Sequence, residues 1–197
     1  MIKGQNFNHP EKGSSIKVEP IKELKDIKSI KKLLQNNPRD LCLFTLGINT
    51  NLRASDLLNI KVNQVSHLQP EDELTLNETK TGKPRRITLN KAVVGSIQRL
   101  LSSKDYDDQD YLFTGQRGRL TVPSVNRLVK FWCKTINLRG NYGAHTLRKT
   151  FGYHQRVTFQ RGVPELMVAF NHSSQRETLE YLCIQPEEIK SLYLNEL

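Results

Sequence analysis

The apolar residues of this chain follow a helical period almost throughout, and the period shortens once, between Val62 and Asn90, to that of β-strands. Leu74–Leu76 and Ile87–Leu89 alternate apolar with polar residues, and Thr81–Pro84 between them is typical of a turn. Val62–His67 is expected to add a third strand. The sequence therefore predicts an α+β fold that is mainly α, with a small three-stranded antiparallel sheet near its middle.

Helical spacing begins at Ile21, Leu24, Ile27 and Ile30, with lysines on the opposite face. Further helices are expected over residues 39–48, 55–58, 91–103, 123–136, 145–157, 164–170 and 178–183. Residues 1–19 are polar and contain glycine, proline and serine, so they predict a flexible N-terminal arm. The folded part is expected to be one domain over residues 20–197.

The charge of the chain favours a polyanionic partner. Thirty Lys and Arg against twenty Asp and Glu give a net charge of +10 and a pI near 9.6. Basic domains gain affinity for nucleic acid by releasing condensed counterions, but a solvated basic surface has the same composition. The three cysteines form neither a disulfide framework nor a metal motif, and the sequence has neither a signal peptide nor an apolar run that could cross a membrane. These features predict a cytoplasmic protein with no membrane partner.

Six residues with complementary chemistry occur in order along the chain and make a candidate catalytic set. They are Arg53, Lys80, His145, Arg148, His172 and Tyr181. A phenol has a pKa of about 10, so a tyrosine nucleophile needs a base such as histidine to accept its proton. Arginines suit the two non-bridging oxygens of a phosphodiester under attack, and a lysine can protonate the leaving 5′ oxygen. Such a reaction requires no metal and no other cofactor.

Each of these residues is unremarkable when taken alone. An H-x-x-R pair is common on helix surfaces, and a tyrosine on an amphipathic helix is more often a core residue than a nucleophile. Tyr153 and Tyr193 are the next candidate nucleophiles after Tyr181. The joint occurrence of the six residues, in order, distinguishes the set.

The surroundings of the six residues resemble the tyrosine recombinase (phage integrase) family over about residues 21–185. Leu52–Leu57 matches the family's L-R-x-S-E/D-L segment, and Lys80 precedes T-G as the family's lysine does. His145–Arg148 matches H-x-L-R, and Tyr181 follows His172 by nine residues. Two positions depart from the pattern: Asn171 replaces the usual glycine, and Asp56 the commoner glutamate.

The resemblance implies a role for each matched residue. Arg53, Arg148 and His172 would hold the phosphate, His145 would assist proton transfer from Tyr181, and Lys80 would be the general acid. Asp56 would support the region around Arg53 without reacting. The basic residues close to Lys80 are rivals for its role, contacts to DNA phosphates or solvated charges. Together with two basic residues on a later helix, they form the predicted DNA-binding set. That set is Lys83, Arg85, Arg86, Arg127 and Lys130.

The resemblance also implies partners. It predicts a catalytic domain that acts on double-stranded DNA, with four protomers on two duplexes and room for an accessory DNA-bending protein. The C-terminal segment from about Gln185 is expected either to dock on a neighbour or to pack on its own domain. No separate core-binding domain is expected ahead of the catalytic domain, so a partner is one possible source of additional DNA grip.

Three alternatives remain open from the sequence. A catalytically inactive DNA-binding accessory protein would keep the same fold. A type IB topoisomerase would use similar chemistry on one strand, although those enzymes lack the H-x-L-R and H-S-S spacing found here. A helical domain whose motifs arose by chance is the third alternative.

Overall fold

The computed structural model describes residues 17–80, 82–184, 190, 193, 194 and 196. Within these residues the helices are α1 (Leu24–Leu33), α2 (Pro38–Gly47), α3 (Ala54–Leu58), α4 (Lys91–Leu101), α5 (Val122–Thr135), α6 (Ala144–Val157), α7 (Val163–Phe170) and α8 (Gln175–Leu182). The strands are β1 (Glu73–Asn77), β2 (Pro84–Thr88), β3 (Thr114–Gly115) and β4 (Gly118–Arg119). The expected mainly helical α+β fold with a small antiparallel sheet is confirmed.

The third strand predicted over Val62–His67 is wrong. The chain forms a single 3₁₀ turn there, Val62–Gln64, and β1 pairs with β2 alone. Val62 and Val65 are both buried, which is a spacing of three and not two. The backbone N–H of Val62 donates to the Asp110 carbonyl oxygen at 3.0 Å as part of an isolated antiparallel bridge between Lys61 and Tyr111, and the 3₁₀ turn begins directly after that bridge.

The main core lies around α2, which is buried on almost every side. Phe44 of this helix meets Trp132 of α5 edge-to-face, with ring centroids 5.9 Å apart. A Cβ on Gly47 would lie 2.6 Å from Leu147 Cδ1, so α6 packs directly on the α2 backbone. This close packing fixes α6, which carries His145 and Arg148, relative to the core.

A second, smaller apolar cluster holds α7 and α8 against α6. Its buried members are Leu166, Phe170, Leu182 and Ile184. The approach is closest at Gly152 of α6, which faces Phe170 and Leu182. The cluster therefore determines where α8, and with it Tyr181, lies relative to α6.

The N-terminal segment at residues 17–21 is hydrogen-bonded along the domain. Glu19 N–H donates to the Asn141 carbonyl oxygen at 2.8 Å, and the Asn141 side chain donates to the Lys17 carbonyl oxygen at 3.0 Å. The remainder of the predicted arm, residues 1–16, lies outside the described residues. So does most of the C-terminal segment from Gln185 onwards.

Candidate active site

Arg53 stands immediately before α3, as its N-terminal flanking residue. Its Nη1 lies 3.0 Å from Glu78 Oε2 and 3.9 Å from Asp56 Oδ2, which makes two ion pairs with buried carboxylates. Asp56 Oδ1 accepts a hydrogen bond from the Thr79 backbone N–H at 2.9 Å. Asp56 therefore connects the Arg53 region to the β1–β2 hairpin.

Lys80 lies in the turn between β1 and β2, and its side chain is exposed. The backbone of Glu78 closes this turn with two hydrogen bonds to residues on the far side of Lys80. Glu78 N–H donates to the Lys83 carbonyl oxygen at 2.9 Å, and Gly82 N–H donates to the Glu78 carbonyl oxygen at 2.8 Å. Gly82 has a φ of +68°, a conformation that glycine adopts without strain.

Arg148 is buried in the middle of α6, with an exposed fraction of 4%. Its Nη2 donates to the Phe170 carbonyl oxygen at 3.3 Å, and its Cζ lies 5.0 Å from the centroid of the Phe170 ring. Burial lowers the pKa of the guanidinium to about 10, which leaves it charged at neutral pH. Charge interaction with Tyr181 opposes this shift, whereas Arg53 and Arg85 add to it.

His145 is on the outer face of the first turn of α6, one turn before Arg148. Desolvation by the surrounding protein lowers its pKa, and the charges of Arg148, Lys149 and Arg53 lower it further. The imidazole is therefore neutral at pH 7 and able to accept a proton.

His172 is positioned by the connection between α7 and α8. Asn171 ends α7 with φ 57° and ψ 46°, so asparagine adopts the left-handed conformation for which the family pattern has glycine. His172 Nδ1 lies 3.0 Å from Thr178 Oγ1, which itself donates to the Ser174 carbonyl oxygen at 3.3 Å. This network assigns the proton to Nδ1, leaving Nε2 as the atom that accepts a proton or, once protonated, donates one.

Tyr181 lies on α8 with its ring among aromatic and cationic neighbours. The ring centroid is 5.2 Å from that of His172 and 5.3 Å from that of Phe170, and Lys149 Nζ is 4.9 Å from it. Burial raises the pKa of the phenol, and the charges of Arg148 and Arg53 oppose that rise. The phenol is therefore protonated at neutral pH and needs a proton acceptor before it can attack.

A groove of about 490 Å³ opens beside the tyrosine. Its lining includes His145, Lys149 and Tyr181, together with Lys17 and Val18 of the N-terminal segment. The groove therefore places His145 and the tyrosine in one cavity that is open to a substrate.

Two buried guanidinium nitrogens near the tyrosine lack a hydrogen-bond partner within the described part of the chain. They are Arg53 Nη1 and Arg148 Nε. Arg53 Nη1 is close enough to Glu78 for an ion pair, but the geometry is not that of a hydrogen bond. Asp56 Oδ2, 3.9 Å from Arg53 Nη1, is a buried acceptor that likewise has no hydrogen-bond partner in the described residues, so these two atoms are paired by charge and not by a hydrogen bond.

The structure thus brings Arg53, Arg148, His172 and Tyr181 together, with His145 at the rim of the groove. Lys80 is brought near them only through the base of its hairpin, because its side chain points to solvent. Tyr153 lies elsewhere, against His154 and the ammonium of Lys22.

The predicted DNA-binding residues divide into two groups. Lys83, Arg86, Arg127 and Lys130 are exposed, as phosphate contacts need to be. Arg85 does not fit the prediction, because its Nη1 pairs with Glu78 Oε1 at 2.8 Å and its Nη2 donates to the Ala169 carbonyl oxygen at 3.0 Å. Its guanidinium is occupied within the protein, so Arg85 is a structural residue in this conformation.

Sequence reasoning missed the roles of Glu78 and Lys149. Glu78 is a buried carboxylate shared by two arginines, and Lys149 is a buried lysine whose Nζ lies 3.5 Å from Cys183 Sγ as well as over the Tyr181 ring. Lys149 immediately follows Arg148, and this position next to a candidate residue was the one available signal.

No group of three or more His, Cys, Asp or Glu side chains in the described residues is arranged to hold a metal ion. In the same part of the chain, no helix combines the length and apolar character needed to span a membrane.

Comparison with known proteins gives matches over nearly the whole described domain. The model of the phage integrase family matches residues 21–188. The chain is 36% identical over 181 residues to the probable integrase/recombinase YoeC of Bacillus subtilis (strain 168), covering 89% of this chain and 95% of that protein. It is also 38% identical over 117 residues to the tyrosine recombinase XerC of Caldanaerobacter subterraneus subsp. tengcongensis, covering 57% of this chain but only 32% of that longer protein.

Solved structures give the same fold. A crystal structure of XerA recombinase superposes with a TM-score of 0.71 at 19% identity, covering 94% of this chain and 65% of that one. A structure of the XerH site-specific recombinase, bound to its palindromic difH substrate, superposes with a TM-score of 0.70 at 16% identity, covering 91% of this chain and 54% of that one. The family model and the similarity to YoeC extend the likeness from fold to sequence, and the chain belongs to the phage integrase family.

Proposed function

We propose that this chain is a site-specific DNA recombinase that breaks and rejoins strands through a tyrosine. The observation that carries the proposal is the convergence of cationic groups and a histidine on Tyr181: the charges of Arg53 and Arg148 oppose the rise in the pKa of its phenol, and the His172 ring centroid lies 5.2 Å from that of the tyrosine. Arginines gathered beside a phenol favour a bound anion, and the scissile phosphate is the anion that a tyrosine nucleophile attacks.

In the first step the Tyr181 oxygen bonds to phosphorus and the bond to the 5′ oxygen breaks. This gives a 3′-phosphotyrosine and a free 5′ hydroxyl. Arg53 and Arg148 stabilise the charge that grows on the non-bridging oxygens. Burial lowers the pKa of His172 in the free protein, but a bound phosphate favours its protonated form, whose Nε2 then donates to the phosphate as well. His145, which is neutral at pH 7 because its pKa is lowered, assists removal of the phenolic proton.

Lys80 donates the proton that the departing 5′ oxygen requires. Its turn is tied to Arg53 through Glu78, which keeps the base of the hairpin next to the phosphate-binding arginines. The phosphotyrosine preserves the energy of the phosphodiester, so a 5′ hydroxyl from a second strand reverses the step without a nucleotide or metal.

DNA is the proposed partner. The XerH structure and a lambda integrase dimer with a similar fold were solved bound to DNA sites. The net charge of +10 and the exposed positions of Lys83, Arg86, Arg127 and Lys130 suit the phosphate backbone of a duplex. Four protomers on two duplexes, with an accessory DNA-bending protein, remain proposals carried over from the family resemblance.

The test is covalent trapping on nicked duplex fragments tiled across the DNA that flanks the gene. Wild type and Tyr181→Phe are incubated with each fragment and run on native and denaturing gels. We expect both proteins to bind, and only wild type to give a protein–DNA band that survives denaturation. Binding without a covalent band from either protein would instead support the inactive accessory protein.

A second readout separates recombination from topoisomerase activity. The fragment that gives the covalent band is supplied as two distinguishable duplexes and, separately, within a supercoiled plasmid. A recombinase exchanges strands between the duplexes, whereas a type IB topoisomerase only relaxes the plasmid.

A further inference from the structure

Glu78 is the one carboxylate in the described residues that contacts two arginines near the candidate active site. Its side chain is buried, with Oε2 3.0 Å from Arg53 Nη1 and Oε1 2.8 Å from Arg85 Nη1. Neither arginine is a close sequence neighbour of the other, so the carboxylate joins two separate segments of the chain. One of these segments contributes a phosphate-binding residue of the proposed reaction.

The second arginine extends the connection to α7. Arg85 Nη2 donates to the Ala169 carbonyl oxygen at 3.0 Å, and Asn51 Nδ2 donates to the same oxygen at 2.7 Å. Ala169 is three residues before His172, and the next carbonyl, that of Phe170, accepts from Arg148. A continuous chain of polar contacts therefore runs from Arg53 through Glu78 and Arg85 to the end of α7.

The backbone of the same glutamate frames the turn that carries Lys80. Its N–H and carbonyl oxygen are both hydrogen-bonded across the turn, to Lys83 and Gly82. Thr79 is held on one side by Asp56, and its hydroxyl accepts a hydrogen bond from Asn59 Nδ2 at 2.9 Å. The base of the turn is thus tied down at several points, while the Lys80 side chain stays exposed.

We propose that Glu78 is a positioning residue, which with Arg85 fixes the Lys80 turn relative to the phosphate-binding arginines. The inference rests on the function proposed above and deepens it. Glu78 does not touch the substrate, because its carboxylate is buried behind Arg53. It acts by holding the general acid at the distance from the leaving 5′ oxygen that proton transfer needs.

The leaving group makes this role testable. A substrate with sulfur in place of the bridging 5′ oxygen releases a thiolate, which needs no proton because thiols have pKa values of about 8.5. A variant that misplaces only the general acid is slow on the ordinary substrate and fast on the sulfur substrate. A variant that disturbs Arg53 or the fold is slow on both.

The experiment compares wild type, Glu78→Gln and Lys80→Met in single-turnover formation of the covalent complex on both substrates. Glu73→Gln is the matched control, since Glu73 is an exposed residue of the same strand β1. We expect Glu78→Gln to be slower by about 10- to 100-fold on the oxygen substrate, the cost of misplacing a catalytic group by about 1 Å. On the sulfur substrate it should come within a few fold of wild type, as should Lys80→Met, with the Kd for DNA unchanged.

An equal defect of Glu78→Gln on both substrates would overturn the proposal, as would wild-type rates on both. Arg85→Lys provides a second test if Glu78→Gln does not fold. A lysine keeps a positive charge near Glu78 but lacks the second guanidinium nitrogen that donates to the Ala169 carbonyl oxygen. This variant should show the same dependence on the leaving group. Failure of the proposed function is distinguishable, since wild type itself would then form no covalent complex on either substrate.

Discussion

Replacing Gly152 by alanine tests whether the packing of α8 against α6 sets the position of the nucleophile. A Cβ at this position would lie 2.4 Å from Leu182 Cδ2 and 2.6 Å from Phe170 Cζ. Leu182 follows Tyr181 on α8, and the Phe170 ring contacts both Tyr181 and His172. The methyl group therefore displaces the two side chains on which the candidate nucleophile rests.

The size of the effect follows from these distances. Carbon atoms pack at about 3.5–4.0 Å, so the Leu182 and Phe170 side chains, or the helices that carry them, must move by about 1 Å. Overpacking of this kind costs about 1–3 kcal/mol, and replacing a glycine in a helix by alanine returns about 1 kcal/mol. We expect the free energy of unfolding to fall by about 0–2 kcal/mol, and cleavage to slow by about 100-fold because the reacting group is displaced.

The assay measures urea unfolding, DNA binding and single-turnover covalent cleavage for Gly152→Ala and for Gly95→Ala. Gly95 is an exposed residue of α4 whose added Cβ meets nothing within 4 Å. Gly95→Ala should therefore be stabilised by about 0.5–1 kcal/mol and cleave normally. Equal cleavage rates in the two variants would refute the claim that this contact places Tyr181.

Three further predictions concern pH, DNA contacts and the lysine beside the nucleophile. Burial lowers the pKa of three histidines in the folded protein, so as the pH falls the unfolded chain binds protons before the folded chain does. The free energy of unfolding, measured by urea titration, should therefore decrease from pH 7.5 to pH 5.5. An increase over that range would contradict these shifts. The three histidines are His145, His154 and His172. Arg86→Gln should reduce the slope of log K for DNA against log salt by about 0.9, whereas Arg85→Gln should leave it unchanged because Arg85 is paired internally; equal slope changes would place both residues on the DNA. Lys149→Met should slow covalent cleavage by removing the cation over the Tyr181 ring, and Lys149→Arg should recover part of the rate; wild-type cleavage by Lys149→Met would exclude that role.

Most of the helices could be predicted because their signals are local. The spacing of apolar residues and the prolines near the starts of α2, α5 and α7 are all visible in the sequence. The segment at Val62 does not form the predicted strand: a short apolar run fits several periods, and its backbone N–H groups donate to Asp108 and Asp110 at a single antiparallel bridge. Such contacts join residues about 50 positions apart and leave no local signal.

The candidate site residues could be predicted where they belong to short sequence motifs. Type and order identify the six candidate residues. Arg53, Arg148 and His172 lie around Tyr181, and His145 lines the groove beside that tyrosine. The internal roles of Glu78 and Arg85 could not be found in this way, because Arg85 meets Ala169 across 84 residues of sequence. A charged residue beside a basic motif looks the same in sequence whether it points to DNA or into the protein.

The central claim is that Tyr181 is the nucleophile, and the most direct measurement identifies the residue that carries the DNA. The covalent complex formed by wild type is digested with nuclease and protease, and the nucleotide-bearing peptide is sequenced by mass spectrometry. We predict a single 3′-linked nucleotide on the peptide containing Tyr181, and none in Tyr181→Phe. A nucleotide on Tyr153 or Tyr193 would contradict the account.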